Sequence, residues 1–318
     1  MTTFGDAVYQ YGGTPVGPLG VGNVYYVIDS DESYYPAYIR DRQGTYKNDG
    51  SAIVHTDIQS ALDVTVECRN DYVIVQPKND DYDLTTAISM SKKAVHLICP
   101  AGFGYSRGAN NACRIHQTGA YPIFELEDAA IEVAGFYLKN YYSKGGIILN
   151  NNVTYGLNVH HNYWAMALTT ATNEPMFGPL IANTTGAAGA WGTFSNNFLQ
   201  SQSGASATIA AICRTNSQAT GTRFCENDIG IGDTDNKATV GILCGSVKGM
   251  VNDNNFFAYQ TASGAGVFTH CISIHASGVA FGNRGNVVTH ELVIGGTDNL
   301  SFVENYGSTS GGTRLEQV

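Results

Sequence analysis

Through the second half of the chain an apolar residue recurs three positions before an asparagine. Val159-His160-His161-Asn162 is followed by Phe194-Ser195-Asn196-Asn197, Phe224-Cys225-Glu226-Asn227 and Val251-Asn252-Asp253-Asn254. Phe281-Gly282-Asn283-Arg284 breaks the rule at its last position, and Phe302-Val303-Glu304-Asn305 restores it. The apolar members are 35, 30, 27, 30 and 21 residues apart. A second apolar series interleaves with the first: Ile147-Ile148-Leu149, Leu180-Ile181-Ala182, Ile209 to Ile212, Val240 to Leu243, Cys271 to Ile274 and Leu292-Val293-Ile294. Two runs repeating in phase predict two short strands per unit.

Such a unit is one coil of a solenoid. In a right-handed parallel β-helix each coil lays its strands on those of the coil below. Inward aliphatics then meet aliphatics, and a turn asparagine meets another through its amide. The predicted fold class is therefore all-β, a single-stranded right-handed parallel β-helix over residues 55–307. Val159, Phe194, Phe224, Val251, Phe281 and Phe302 form its predicted core stack, and Asn162, Asn197, Asn227, Asn254 and Asn305 its ladder. Loops extruded between strands account for the unequal steps, the largest being 164–179 with Trp164, Met166, Met176 and Phe177. A β-propeller needs four strands per unit, which these units are too short to hold.

Upstream, Thr56-Asp57-Ile58-Gln59 predicts a helix N-terminus capped by Thr56, with Gln59 reaching back. Ile58, Ala61 and Leu62 then share one face. Strands follow at Tyr72–Pro77, from Tyr82 to Met90, and at Ala94–Cys99. A lone amphipathic helix ahead of a stack of strands suits a cap over exposed strand edges. Residues 1–24 read as an extended arm, 25–54 as a lead-in segment and 308–318 as a C-terminal tail. The arm has Pro15 and Pro18 and no periodicity, yet carries Phe4, Val8, Tyr9, Tyr11, Val16 and Leu19. That much apolar surface predicts docking on a partner.

Composition narrows the function. The chain has 318 residues, 37 glycines, 26 asparagines and a net charge of -10. Gly and Asn both tolerate positive φ, so their abundance suits a fold rich in tight turns. Only 17 scattered Lys and Arg argue against a nucleic-acid partner. The N-terminus shows no secretory signal, and no apolar run is long enough to span a membrane. Seven cysteines without a CxxC pair predict reduced, buried thiols and synthesis in a cytoplasm.

The helix at 57–64, the run Asp71-Tyr72-Val73-Ile74-Val75-Gln76-Pro77, Tyr82 and the Val95 to Pro100 strand resemble the first coils of pectin-lyase-like right-handed β-helices. The opening Phe4-Gly5-Asp6-Ala7-Val8-Tyr9-Gln10-Tyr11-Gly12-Gly13-Thr14-Pro15-Val16, followed by a short β-helix, is similar to virion proteins of tailed bacteriophages. That resemblance implies a homotrimer made in the host cytoplasm, its arm clamping the major capsid protein or another virion protein. The expected role is a capsid-decorating (cement) protein on the capsid surface. A tailspike that binds or cuts host glycan, and a tail or baseplate component, are the competing readings.

Catalytic chemistry is sparse. The family's polysaccharide hydrolases carry Asn-Thr-Asp, Asp-Asp, Gly-His-Gly and Arg-Ile-Lys in order, which this chain lacks; the Trp-Ile-Asp-His signature of pectate lyases is missing too. Asp80-Asp81 stands apart, in the first coils. Glu125 and Glu127, with Asp128 and Glu132 nearby, read as a solvated strand and turn, and Asp233-Thr234-Asp235-Asn236 as an Asx-stabilised turn. His160 and His161, as strand neighbours, are expected on opposite faces, as are His270 and Cys271, with His275 too far along to help. No catalytic residue, metal site or cofactor is predicted. The matches to Asn-x-Ser/Thr at Asn152, Asn183 and Asn299 are taken as coincidental. On the tailspike reading Trp164, Trp191, Tyr163 and Tyr259 are the candidate sugar platforms.

Overall fold

The computed structural model describes residues 22–33, 35–37, 53–100, 112–140, 147–149, 155–166, 179–180, 191–201, 208–215, 220–231, 237–258, 270–274, 277–286, 294–295, 301–303 and 306–308. The chain is all-β and dominated by long parallel strand stacks, an arrangement consistent with a parallel β-helix. Sheet I has eleven strands, sheet II nine, and sheets III and IV four each. The chain visits them in rotation. Glu132–Ala134 lies in sheet I, Phe136–Asn140 in sheet II and Ile147–Leu149 in sheet III, before Asn158–His160 returns to sheet I.

Among the described residues the coils from Asp71 to Gly295 thus hold three strands each, where the periodicity predicts two. The unpredicted one begins directly after the ladder asparagine. Tyr163–Met166, assigned above to an extruded loop from Trp164 onward, is a sheet II strand, and Trp164 is fully buried. Its run Tyr-Trp-Ala-Met shows no clean polar alternation, because Tyr163 on the outward side is itself stacked between Tyr137 (4.6 Å) and Phe198 (4.9 Å).

Register holds the core column in line. Tyr25, Val73, Leu97, Val133, Val159, Phe194, Phe224, Val251, Ala280 and Phe302 are successive Cα partners in sheet I. The apparent break at Phe281 is a frame shift in the sequence pattern. Ala280 takes the inward position and is fully buried, whereas Phe281 pairs with Asn252 on the outward side. Counting from Ala280 restores the three-residue offset, so Asn283 belongs to the ladder that the sequence reading denied it. Asn305 and the arm residues Phe4, Val8, Tyr9, Tyr11, Pro15, Val16, Pro18 and Leu19 lie outside the described residues.

The ladder itself is buried and reciprocal. Asn227 Nδ2 donates to Asn254 Oδ1 (2.9 Å) and to Phe194 O of the preceding coil (2.9 Å), while its Oδ1 accepts from Asn197 N (3.0 Å) and Asn197 Nδ2 (3.1 Å). Asn162, Asn197 and Asn254 repeat the pattern, and Phe136 N closes it by donating to Asn162 Oδ1. The residue before each rung is left-handed: His161, Asn196, Glu226 and Asp253 have φ of 53 to 57° and Gly282 has 65°. That reversal turns the chain from sheet I into sheet II within two residues.

The helix spans Ile58–Asp63, with Ile58, Ala61 and Leu62 buried as expected. Its cap is Asp57, which accepts from Ser60 N at 2.8 Å, and not Thr56. Gln59 does not reach back. Its amide accepts from Ser89 N (3.0 Å) and donates to Ser89 O (3.2 Å), standing in for a neighbouring strand on the edge of sheet III.

Candidate functional site

The outward position just before the core column carries Tyr72, His96, Glu132 and Asn158 on consecutive coils. The Tyr72 ring stacks on His96 at 4.3 Å. Glu132 is the centre of this group. His96 Nδ1 lies 2.5 Å from one carboxylate oxygen, His160 Nε2 2.8 Å from the other, and Asn158 Nδ2 donates to the latter at 3.5 Å. His96 Nε2 in turn sits 2.7 Å from Asn70 Oδ1. Burial alone would raise the Glu132 carboxyl. The hydrogen bonds from His160 and His96, with their charge, outweigh it and lower the pKa to about 2.

A groove of about 310 Å³ runs beside this column, lined by Asn70, Tyr72, His96, Glu132 and Asn158 and floored by Ala130 and Gly156. The floor is shallow for a backbone reason. A second left-handed column turns the chain into sheet I, at Asn70, Ala94, Ala130, Gly156, Trp191, Gly221 and Lys248. At Ala130 and Gly156 space opens; where the column carries Trp191, an indole projects, 64% exposed, with Tyr155 50% exposed one coil earlier. Gly221 permits this, since a Cβ there would lie 2.4 Å from the Trp191 ring.

The arrangement can bind through amides, an imidazole and aromatic faces. Glu132, held ionised by two histidines, has no proton to give as a general acid at neutral pH. A measurable consequence concerns stability. A lowered acid stabilises the fold fully above its ordinary value, 4.5, and that contribution fades as pH falls toward about 2. Wild type should therefore exceed Glu132→Gln by about 3 kcal/mol at neutral pH, and the gap should close between about pH 5 and pH 2. Thermal unfolding of both proteins across that range checks this. Parallel curves with a constant gap would refute the assignment.

A second cluster sits at the start of sheet II, where Asp81, Asp83 and His116 bring ligand atoms within 4.8 Å of one another. Asp81 is already held by Arg114 (2.8 Å) and Lys139 (2.8 Å). Two cations occupy the electrostatic place a metal would take, so this is an ion-pair network. The remaining sequence candidates are dispersed. Glu125 faces outward in its strand, while Glu127 lies beyond the strand end and accepts from Ser89 Oγ at 3.2 Å. Asp233–Asn236, Tyr259 and His275 fall outside the described residues. Of the proposed sugar platforms, Trp164 is core and Tyr163 is buried in an aromatic stack, which leaves Trp191.

The histidine pair departs most from expectation. His160 and His161 do not diverge: their Nδ1 atoms are 2.7 Å apart. Strand alternation fails because His161 is left-handed (φ 53°), which swings its side chain back toward His160. All seven cysteines are thiols; Cys68 is exposed and the other six are buried, with burial pushing Cys244 up to about 11.

Fold and groove together define an all-β protein of stacked parallel strands with one polar, aromatic-edged face. No family model matches the chain, and neither a curated protein nor a solved structure does. No helix among the described residues is long and apolar enough to cross a membrane.

Proposed function

We propose that this chain is a non-enzymatic structural protein of a tailed-phage virion: a trimeric, right-handed parallel β-helix that decorates the capsid. In this reading the arm residues Phe4, Val8, Tyr9, Tyr11, Pro15, Val16, Pro18 and Leu19 clamp the major capsid protein. The observation that carries the reading is the buried asparagine ladder, which, with the aliphatic column in register beside it, makes a stiff rod suited to bearing load. The phage-like opening supports the location, and the net charge of -10 would keep decorated particles dispersed. Purified protein should co-sediment with empty capsids and raise their heat stability, and deletion of residues 1–24 should abolish both effects. A full-length trimer that neither binds capsids nor protects them overturns the proposal.

A second reading, a tailspike-like glycan binder or depolymerase, draws on Trp191 and Tyr155 beside the Asn70–Asn158 groove. Incubation with host polysaccharide separates the two. New reducing ends or unsaturated products favour the second, and their absence with capsid binding favours the first. A tail or baseplate component would differ only in which virion protein the arm grips.

A further inference from the structure

We propose that His160 and His161 form a two-nitrogen chelate for a late first-row divalent transition-metal ion, copper(II) foremost. Three observations carry it. The first is distance. In a right-angled chelate with metal–nitrogen bonds of about 2.0 Å the two nitrogens lie about 2.8 Å apart, against roughly 3.3 Å in a tetrahedral one. The two Nδ1 atoms stand 2.7 Å apart, with the ring planes at 86°. That spacing matches the bite of tetragonal copper(II) or nickel(II) more closely than that of tetrahedral zinc.

The second is the tautomer. Glu132 accepts only, so His160 donates from Nε2, and in the neutral ring Nδ1 then carries the lone pair and faces His161 Nδ1. His161 Nδ1 supplies the proton that fills the gap between the rings. A metal ion replaces that proton: it leaves His161 Nδ1 for solvent, Nε2 takes one up, and both imidazoles bind as neutral donors.

The third is the outer shell. A ligating histidine commonly donates its other N–H to a carboxylate, which orients the ring and raises its basicity. Glu132 already does this for His160 at 2.8 Å and is itself fixed by His96 at 2.5 Å, with Asn70 behind His96 at 2.7 Å. His160 is buried and His161 half-buried, so the ion approaches over His161 and water completes its coordination.

The full-length, tag-free protein is titrated with copper(II) and followed by electron paramagnetic resonance and visible absorption. One ion per chain should bind with micromolar affinity, and its spectrum should show splitting from at least two nitrogens. His161→Ala and His161→Gly should each weaken binding at least about 100-fold; the glycine variant suits the left-handed backbone and so separates lost chelation from lost folding. Glu132→Gln should weaken binding about 10- to 100-fold. His116→Ala, in the ion-paired cluster, should change nothing. Absence of saturable binding, a single-nitrogen spectrum, or unchanged affinity in both His161 variants overturns the proposal.

Discussion

Asn227→Ala should lower unfolding stability by about 3 kcal/mol, although it deletes one small polar side chain. The estimate follows from what the deletion strands. Asn197 N loses its acceptor inside a buried turn, which costs about 1–3 kcal/mol, and Phe194 O loses one of its donors, for about 1 kcal/mol more. Asn197 Nδ2 keeps Val159 O, and Asn254 Oδ1 keeps Asn227 N, so neither adds a full penalty. The exposed neighbour Asn255 is the control, since its amide bonds only Asp228 at 3.1 Å on the surface. Asn255→Ala should cost less than about 0.5 kcal/mol. Thermal or urea unfolding of the two variants beside wild type makes the comparison. Near-equal losses would mean that the asparagines follow the backbone and do not hold it.

The same ladder shows what was legible in the sequence. The offset of three between apolar residue and asparagine is a backbone fact, a strand end plus a two-residue reversal, and it could be read without coordinates. Its frame at Phe281 could not, because Ala280 and Phe281 are both apolar and only the pairing of Ala280 with Val251 decides which points inward. Asparagine tolerates positive φ, and Asn70 and Asn196 use that freedom, yet the ladder asparagines follow the left-handed residue instead of occupying it. His161, Asn196, Glu226 and Asp253 take that strained position, and each tolerates it because stacked coils on either side fix the backbone.

The site was less legible for the same reason. Tyr72, His96, Glu132 and Asn158 are far apart along the chain and meet only through register. A signal did exist: once Leu97, Val133 and Val159 are aligned as the column, the residue before each falls on one outward face. The His160–His161 contact had no such signal. Alternation along a strand predicts divergence, and the conversion of His161 to a left-handed turn residue is set by the coil closing around it.

Asp71→Ala should be as damaging as the ladder break, and more local. Asp71 is fully buried and accepts from Asn23 N (2.8 Å), Val66 N (2.7 Å), Arg69 Nε (2.7 Å) and Arg69 Nη2 (2.8 Å). It thereby joins three segments: the approach to Val24–Val27, the chain leaving the helix, and its own strand Asp71–Val75. Arg69 extends the tie to the Tyr25 hydroxyl at 2.9 Å. Removing the carboxylate strands the Asn23 and Val66 amides, each losing a bond to a charged acceptor worth about 1.5–3 kcal/mol, so the loss should be about 3–5 kcal/mol. Arg69→Ala should cost less, since Asp71 would retain two backbone donors and the arginine side chain is partly hydrated. The loss should appear first in Val24–Val27, whose amides would exchange with solvent while those of Phe224 and Val251 stay protected, as nearest-neighbour coupling between coils requires. A Tm for Asp71→Ala within about 2 °C of wild type, with Val24–Val27 still protected, would show that apolar stacking of Tyr25 on Val73 holds the first coil unaided.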